Sequence, residues 1–264
     1  MSGASAPSKS FVPEGAGSRW PFVVGTPSAY RAPAWNARPL LWWGVLEALL
    51  RLQRSSANAY WQGLPSDYLE TFMHTGEVGT DHPSRSFAAR LVGVRESVLD
   101  VGCGPGVNYE VLESLERASA YVGVDASARA IDVARARYPD GDFRVMDAAR
   151  IVEVLGRRSF DVVLVRHLLE HLPDFEPVLT EAIAAARRLA VIVFFLTPRR
   201  LPLGARKVNL RYGAPQFLNV YSRTAIDRLL ESMGLDYVWH HGIGTSRAGW
   251  FGGEVNTALV VSPP

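Results

Sequence analysis

Residues 98–108 read Val98-Leu99-Asp100-Val101-Gly102-Cys103-Gly104-Pro105-Gly106-Val107-Asn108. A short apolar run of β type ends in three glycines. Val107, Val111, Leu112 and Leu115 then recur at helical spacing, so the stretch predicts strand, glycine turn and helix in immediate succession. Glycine tolerates positive φ and lets backbone approach a ligand where a Cβ would obstruct it. The first amides of the following helix lack intrahelical acceptors and face the same gap. A turn of this kind suits a nucleotide-like ligand.

The spacing narrows the choice. A dinucleotide-binding turn is written G-x-G-x-x-G. Counted from Gly102, the third glycine falls at position 107, where the chain has valine. The pattern present is D-x-G-x-G-x-G, from Asp100 to Gly106. It resembles the first motif of the class I S-adenosylmethionine-dependent methyltransferases, and the resemblance extends over about residues 98–261.

Strands and helices alternate beyond the turn. Residues 120–124 predict a strand ending at Asp125, and Ser127 is placed to cap a helix running to about Arg137. Residues 143–146 predict a strand ending at Asp147, with a short helix over 151–155. Strands over 160–165 and 190–196 flank a helix over 175–189. A helix over 222–233 precedes two strands, 235–240 and 255–261. Near-continuous apolar strands between helices imply a parallel sheet covered on both faces. The fold class expected is α/β. By resemblance it is a Rossmann-like, seven-stranded, mostly parallel sheet whose final strand runs antiparallel beside the fifth.

Ligands of open α/β sheets bind beyond the carboxyl ends of the strands. The residues at those ends are therefore the candidate site. Asp125 lies about 20 residues past the turn, where a carboxylate can accept both hydroxyls of a ribose. The resemblance implies that Asp125 and Ala126 hold the cofactor ribose. It assigns Asp147 and the Ala148 amide to the adenine, and Asp100 to the loop and the methionine ammonium. Gly102, Cys103, Gly104 and Gly106 would form the cofactor loop, with Arg166 at the end of the fourth strand. Cys103 reads as a small space-filler within that loop.

Residues 166–174 read Arg-His-Leu-Leu-Glu-His-Leu-Pro-Asp. His-Leu-Leu-Glu-His matches the inverted zinc-protease pattern, which needs a long helix carrying both imidazoles. Here it leaves a buried strand and Pro173 follows at once, so no metal is expected. The same stretch resembles the fourth methyltransferase motif, which places His167 and His171 near the point of transfer. Histidine suits a general base because it titrates near working pH. The alternative for His171 is a cap or packing role on the next helix.

The remainder sets bounds. With 48% hydrophobic and 20% charged residues, the 264-residue chain has globular composition. Its net charge of +2 gives no reason to expect nucleic acid. One cysteine, Cys103, allows no internal disulfide and fits a reducing, cytoplasmic setting. The first ten residues lack the apolar core of a signal peptide. Residues 40–52 are the most apolar stretch but are interrupted by Glu47 and too short to span a bilayer.

The expected organisation is a flexible Pro/Ser/Gly-rich leader over 1–38, a helical extension over 39–96, and a methyltransferase domain over 97–264. The extension includes a packed helix over 40–58. An irregular stretch follows, in which Tyr60, Trp61, Tyr68, Phe72 and His74 could form a lid. Residues 197–221 interleave Arg199, Arg200, Arg206, Lys207 and Arg211 with aromatics and are expected to be a solvated loop over a small acceptor, with RNA binding as the alternative. The function expected is S-adenosylmethionine-dependent methyl transfer to oxygen or nitrogen of a small metabolite. The alternatives are an NAD-dependent oxidoreductase and a cofactor-binding domain without turnover. The oligomeric state is not legible.

Overall fold

The computed structural model describes residues 22–24, 59–71, 79–172, 174–195, 197, 205–211, 214–246 and 254–264. In chain order the elements are β1 (Phe22–Val24), α1 (Ser66–Thr71), α2 (Pro83–Arg90), β2 (Ser97–Val101), α3 (Val107–Ser114), β3 (Ala120–Asp125) and α4 (Ala128–Arg137). They continue with β4 (Asp142–Val145), α5 (Ile151–Leu155), β5 (Phe160–Arg166), α6 (Glu176–Ala185), β6 (Ala186–Phe194), β7 (Ala205–Arg211) and β8 (Ala214–Val220). The last three are α7 (Arg223–Ser232), β9 (Asp236–Ser246) and β10 (Glu254–Ser262). The expected helix over 40–58, with Phe72 and His74, lies outside the described residues.

Seven strands form one sheet in the order β4-β3-β2-β5-β6-β10-β9. The pairs β4–β3, β3–β2, β2–β5 and β5–β6 are parallel. β10 is inserted antiparallel beside β6, the fifth strand of the parallel set, as expected. The order reverses between β2 and its neighbours, so the ends of β2, β3 and β5 open a cleft at a switch point.

Alternation along the strands divides the core between two faces. Val98, Val162, Leu164 and Val191 pack with Ala88 and Ala89 of α2 and Val111 and Leu112 of α3. Leu99, Val101, Val163, Val165 and Ile192 pack with Leu179 and Ile183 of α6 and with Ile226 and Leu230 of α7. The three inner strands β2, β5 and β6 therefore have their centres buried on both sides, which explains their apolar runs.

The structure corrects several boundaries. The helix expected over 175–189 ends at Ala185, and Ala186 already begins β6, whose first residues pair with β5. Residues 205–211 and 214–220 are not a loop. They form an antiparallel hairpin whose first strand also pairs with Phe22–Val24, giving a second, three-stranded sheet in the order β1-β7-β8. Three residues of the expected leader thus belong to a sheet. The stretch expected to be irregular contains a helical turn over 59–62 and α1.

One close approach fixes where the glycine turn lies. Gly123 in β3 passes beneath it, and a Cβ there would sit 2.8 Å from the Phe143 ring and 3.0 Å from the Cys103 sulfur. Gly123→Ala is expected to lower stability by about 1–3 kcal/mol, the usual cost of overpacking a filled core. The check is a lower urea midpoint at unchanged slope.

Candidate functional site

The site begins at the end of β2. Gly102 and Cys103 both donate their amides to the Val124 carbonyl of β3, at 2.8 and 3.0 Å, folding the turn back over the neighbouring strand. Gly102, Gly104 and Gly106 have φ of 71°, 56° and 85°. These are left-handed values that side chains resist. Gly106 is the N-cap of α3, and a Cβ on it would lie 3.0 Å from Phe143 and Tyr138. Cys103 turns inward, and its thiol lies against Ile131, Ala134 and Phe143. Burial pushes that thiol well above its ordinary pKa. It has the space-filling place expected of it, and only its backbone belongs to the loop surface.

Asp125 closes the turn from the other side. One carboxylate oxygen accepts the Gly104 amide at 2.9 Å and the other accepts the Ser127 amide at 2.8 Å. Each oxygen keeps a second lone-pair direction. Carboxylate and glycine turn are therefore one unit, and burial raises the Asp125 pKa. Ala126 follows, its carbonyl accepting from Gln62 at 3.1 Å. Asp147 stands exposed beyond β4 and caps the turn at Ala148–Arg150 by accepting the Ala149 amide at 2.9 Å.

Asp100 faces the interior. It is fully buried and accepts from Asn108 Nδ2 at 3.0 Å and from Tyr121 Oη at 2.7 Å. Arg85 donates to Asn108 Oδ1 through Nη1 and to the Gly79 carbonyl through Nε at 3.1 Å. Burial raises the Asp100 pKa and lowers that of Arg85 to about 10, each opposed by the charge of the other.

Arg166 extends the network. Its Nε donates to Ser84 Oγ at 2.9 Å, and Ser84 Oγ lies 2.8 Å from His82 Nδ1. His82 Nε2 meets the Thr245 carbonyl at 2.9 Å, which puts the proton on Nε2 and leaves Nδ1 to accept. Arg166 Nη2 is buried without a partner. An unspent donor on a buried guanidinium is a natural seat for an anion.

Beyond β5 the two histidines take different positions. His167 sits in the left-handed region at φ 51°, its amide bonded to the Val193 carbonyl at 2.9 Å. Its ring stacks on Phe195 at 3.8 Å with the planes 4° apart. His171 ends the short 3-10 turn Leu169–His171 and meets Trp61 edge-on at 4.8 Å. A single 3-10 turn replaces the long helix that an inverted zinc motif requires. Among the described residues no cluster of three His, Cys, Asp or Glu is arranged to hold a metal.

The segment before α2 reaches over this cleft. Ser127 Oγ donates to the Trp61 carbonyl at 3.2 Å and Arg129 to the Leu64 carbonyl at 2.8 Å. Tyr60, Leu64 and Leu69 pack on Ala130 and Val133 of α4. Trp61 thus links the residues just after Asp125 to His171, while Tyr60 and Tyr68 pack on the α4 side. The residues that reading the sequence missed are Ser84, Arg85, Asn108, Glu170 and Phe195. Only Glu170 had a local signal, as the acid between the histidines.

A family model described as a methyltransferase domain matches residues 76–240, well over half of the chain. This chain belongs to that methyltransferase domain family. A ubiquinone biosynthesis O-methyltransferase of Nitrosospira multiformis is 33% identical over 162 residues, covering 56% of this chain and 65% of that protein. The enzyme of the same name from Ralstonia nicotianae is 39% identical over 144 residues, covering 53% and 57%. This methyltransferase-family chain therefore spans less than two thirds of those relatives' own length.

Among solved structures, a SAM-dependent methyltransferase from Archaeoglobus fulgidus superposes with a TM-score of 0.53 at 16% identity, covering 72% of this chain and 97% of that one. A 1,6-didemethyltoxoflavin-N1-methyltransferase from Burkholderia thailandensis, bound to its acceptor and S-adenosylhomocysteine, gives 0.50 at 14% identity, covering 88% and 93%. At such identities the likeness is one of fold.

Removing the hydroxyl in Tyr121→Phe leaves one oxygen of the buried Asp100 without its donor. Stability is expected to fall by about 1.5–3 kcal/mol at neutral pH, the worth of a hydrogen bond to a charged group. Chemical unfolding of the variant beside the parent chain checks it.

Proposed function

We propose that the chain binds S-adenosylmethionine and transfers its methyl group to oxygen or nitrogen of a small metabolite. The observation that carries this reading is the union of Asp125 with the glycine turn. A carboxylate that already orders the loop through Gly104 still offers a lone pair on each oxygen to a ribose diol. The residues present fit the rest of the cofactor. The unspent Arg166 Nη2 matches an amino-acid carboxylate, and Asp147 with the Ala148 amide matches an adenine edge. Asp100 acts from beneath, ordering Asn108 and Tyr121.

The cofactor supplies an already electrophilic methyl on a sulfonium. What remains for the protein is alignment and exclusion of water. Trp61, His171, Phe195 and His167 form a mostly aromatic wall suited to both tasks. His167 and His171 are the groups that face the acceptor. The names of the curated relatives support an oxygen acceptor, and that of the toxoflavin enzyme keeps nitrogen in view.

The reading includes a cytoplasmic protein, for which the lone buried thiol argues, and a small-molecule partner rather than nucleic acid. No helix among the described residues is long and apolar enough to cross a membrane. The proposed organisation keeps a leader to residue 38, an extension over 39–96 and the methyltransferase domain from 97.

S-adenosylhomocysteine is expected to raise the melting temperature and NAD(H) to leave it unchanged. A ligand at a hundredfold excess over its Kd stabilises by about 2.7 kcal/mol. The reverse pattern would replace methyl transfer by hydride transfer. Asp125→Ala is expected to weaken S-adenosylhomocysteine by about 1.5–3 kcal/mol, roughly ten- to a hundredfold in Kd. Calorimetric titration showing the parent affinity would leave Asp125 a turn residue only.

A further inference from the structure

Glu170 has no role in the reading above, yet it is 2% exposed at the rim of the cleft. Its Oε1 accepts the Phe195 amide at 2.6 Å, fixing the backbone of the residue on which His167 stacks. The same Oε1 lies 3.9 Å from His167 Nδ1, and both side chains are buried. Glu170 Oε2, His167 Nδ1 and His167 Nε2 are all without a hydrogen-bond partner. Buried polar atoms are satisfied as a rule, so three unsatisfied atoms on two adjoining side chains mark a place built for a ligand. Hydrogen bonds of catalytic pairs are often long before substrate enters.

We propose that Glu170 and His167 are a carboxylate–imidazole pair that receives the proton of the methyl acceptor, with Glu170 the positioning residue and His167 Nε2 the base. The proposal rests on the methyl-transfer reading. A carboxylate beside Nδ1 keeps the proton on that nitrogen and the lone pair on Nε2. As the acceptor's O–H or N–H bond breaks, its proton goes to Nε2 while the new bond to carbon forms, and the C–S electron pair stays on sulfur. The imidazolium produced is balanced by the Glu170 charge.

The surroundings agree. The charged and titratable groups facing His167 are Arg166 at the end of its own strand, Glu170 and His171 on the turn beyond, and His82 and Arg85 from around α2. Burial first, then the charge of Arg166, hold the imidazole well below its usual pKa and keep it neutral. Burial pushes the Glu170 carboxyl up to about 7. The pair is therefore assembled as pH rises through about 7 and is lost below it.

The test is a pH titration of the full chain labelled with ¹⁵N-histidine, free and saturated with S-adenosylhomocysteine. The resonance that disappears in His167→Gln is expected to show Nδ1–H and to shift through a transition near pH 7. Glu170→Gln keeps an oxygen for the Phe195 amide but removes the charge, and should abolish that transition while leaving the melting temperature near that of the parent chain. The same tautomer and an unchanged transition in Glu170→Gln would overturn the pairing. Failure of S-adenosylhomocysteine to bind the parent chain would instead remove the methyl-transfer reading, and the titration of the free chain would still decide the pair.

Discussion

A carboxylate with no access to water stands at the centre of the cleft. Asp100 is the last residue but one of β2, the middle strand of the parallel set, and its two oxygens reach in different directions. One holds Asn108 in the first turn of α3, and through it Arg85 of α2. The other holds Tyr121 of β3. An isolated buried charge is prohibitive, so this one exists only because every neighbour is in place. The glycine turn leaves the strand one residue later and inherits that order. The position of the glycine turn is thus set from below by a buried network.

A second tier lies above it. Asp125 is bonded to the loop it faces, Arg166 is anchored through Ser84 and His82 to β9, and Glu170 grips the backbone after β6. Asn219 and Tyr221 both donate to the Leu172 carbonyl, at 2.6 and 2.9 Å, and so fix the end of the turn that carries His171. Each recognition group is held by an element other than its own, which is how a cleft built from loops becomes rigid.

Much of this was legible in the sequence, for stated reasons. The inner strands β2, β5 and β6 read as strands because burial on both faces leaves their centres almost wholly apolar. Asp125 and Asp147 stand out in the sequence because they lie at strand ends, where ligands of such sheets bind. The end of α6 was misplaced because Ala182 to Ala190 carries alanine and arginine, both good helix formers, and pairing with β5 overrides that preference. The β7–β8 hairpin was hidden by its basic residues, which read as a solvated loop. Ser84, Arg85 and Asn108 gave no signal at all. Their roles arise largely from contacts with residues distant in sequence, 23 positions for Arg85 with Asn108 and 82 for Ser84 with Arg166, which no local pattern encodes.

The chain's lone thiol adds a last consequence. Cys103 lies inside the glycine turn yet faces the core, protonated and out of reach of solvent. Thiolate, not thiol, is the reactive form, so the folded loop shields it twice. A maleimide or disulfide reagent can modify the molecule only in the moments when the loop lifts from β3. The rate of that modification is a clock for the loop's breathing, obtained without adding any probe to the chain.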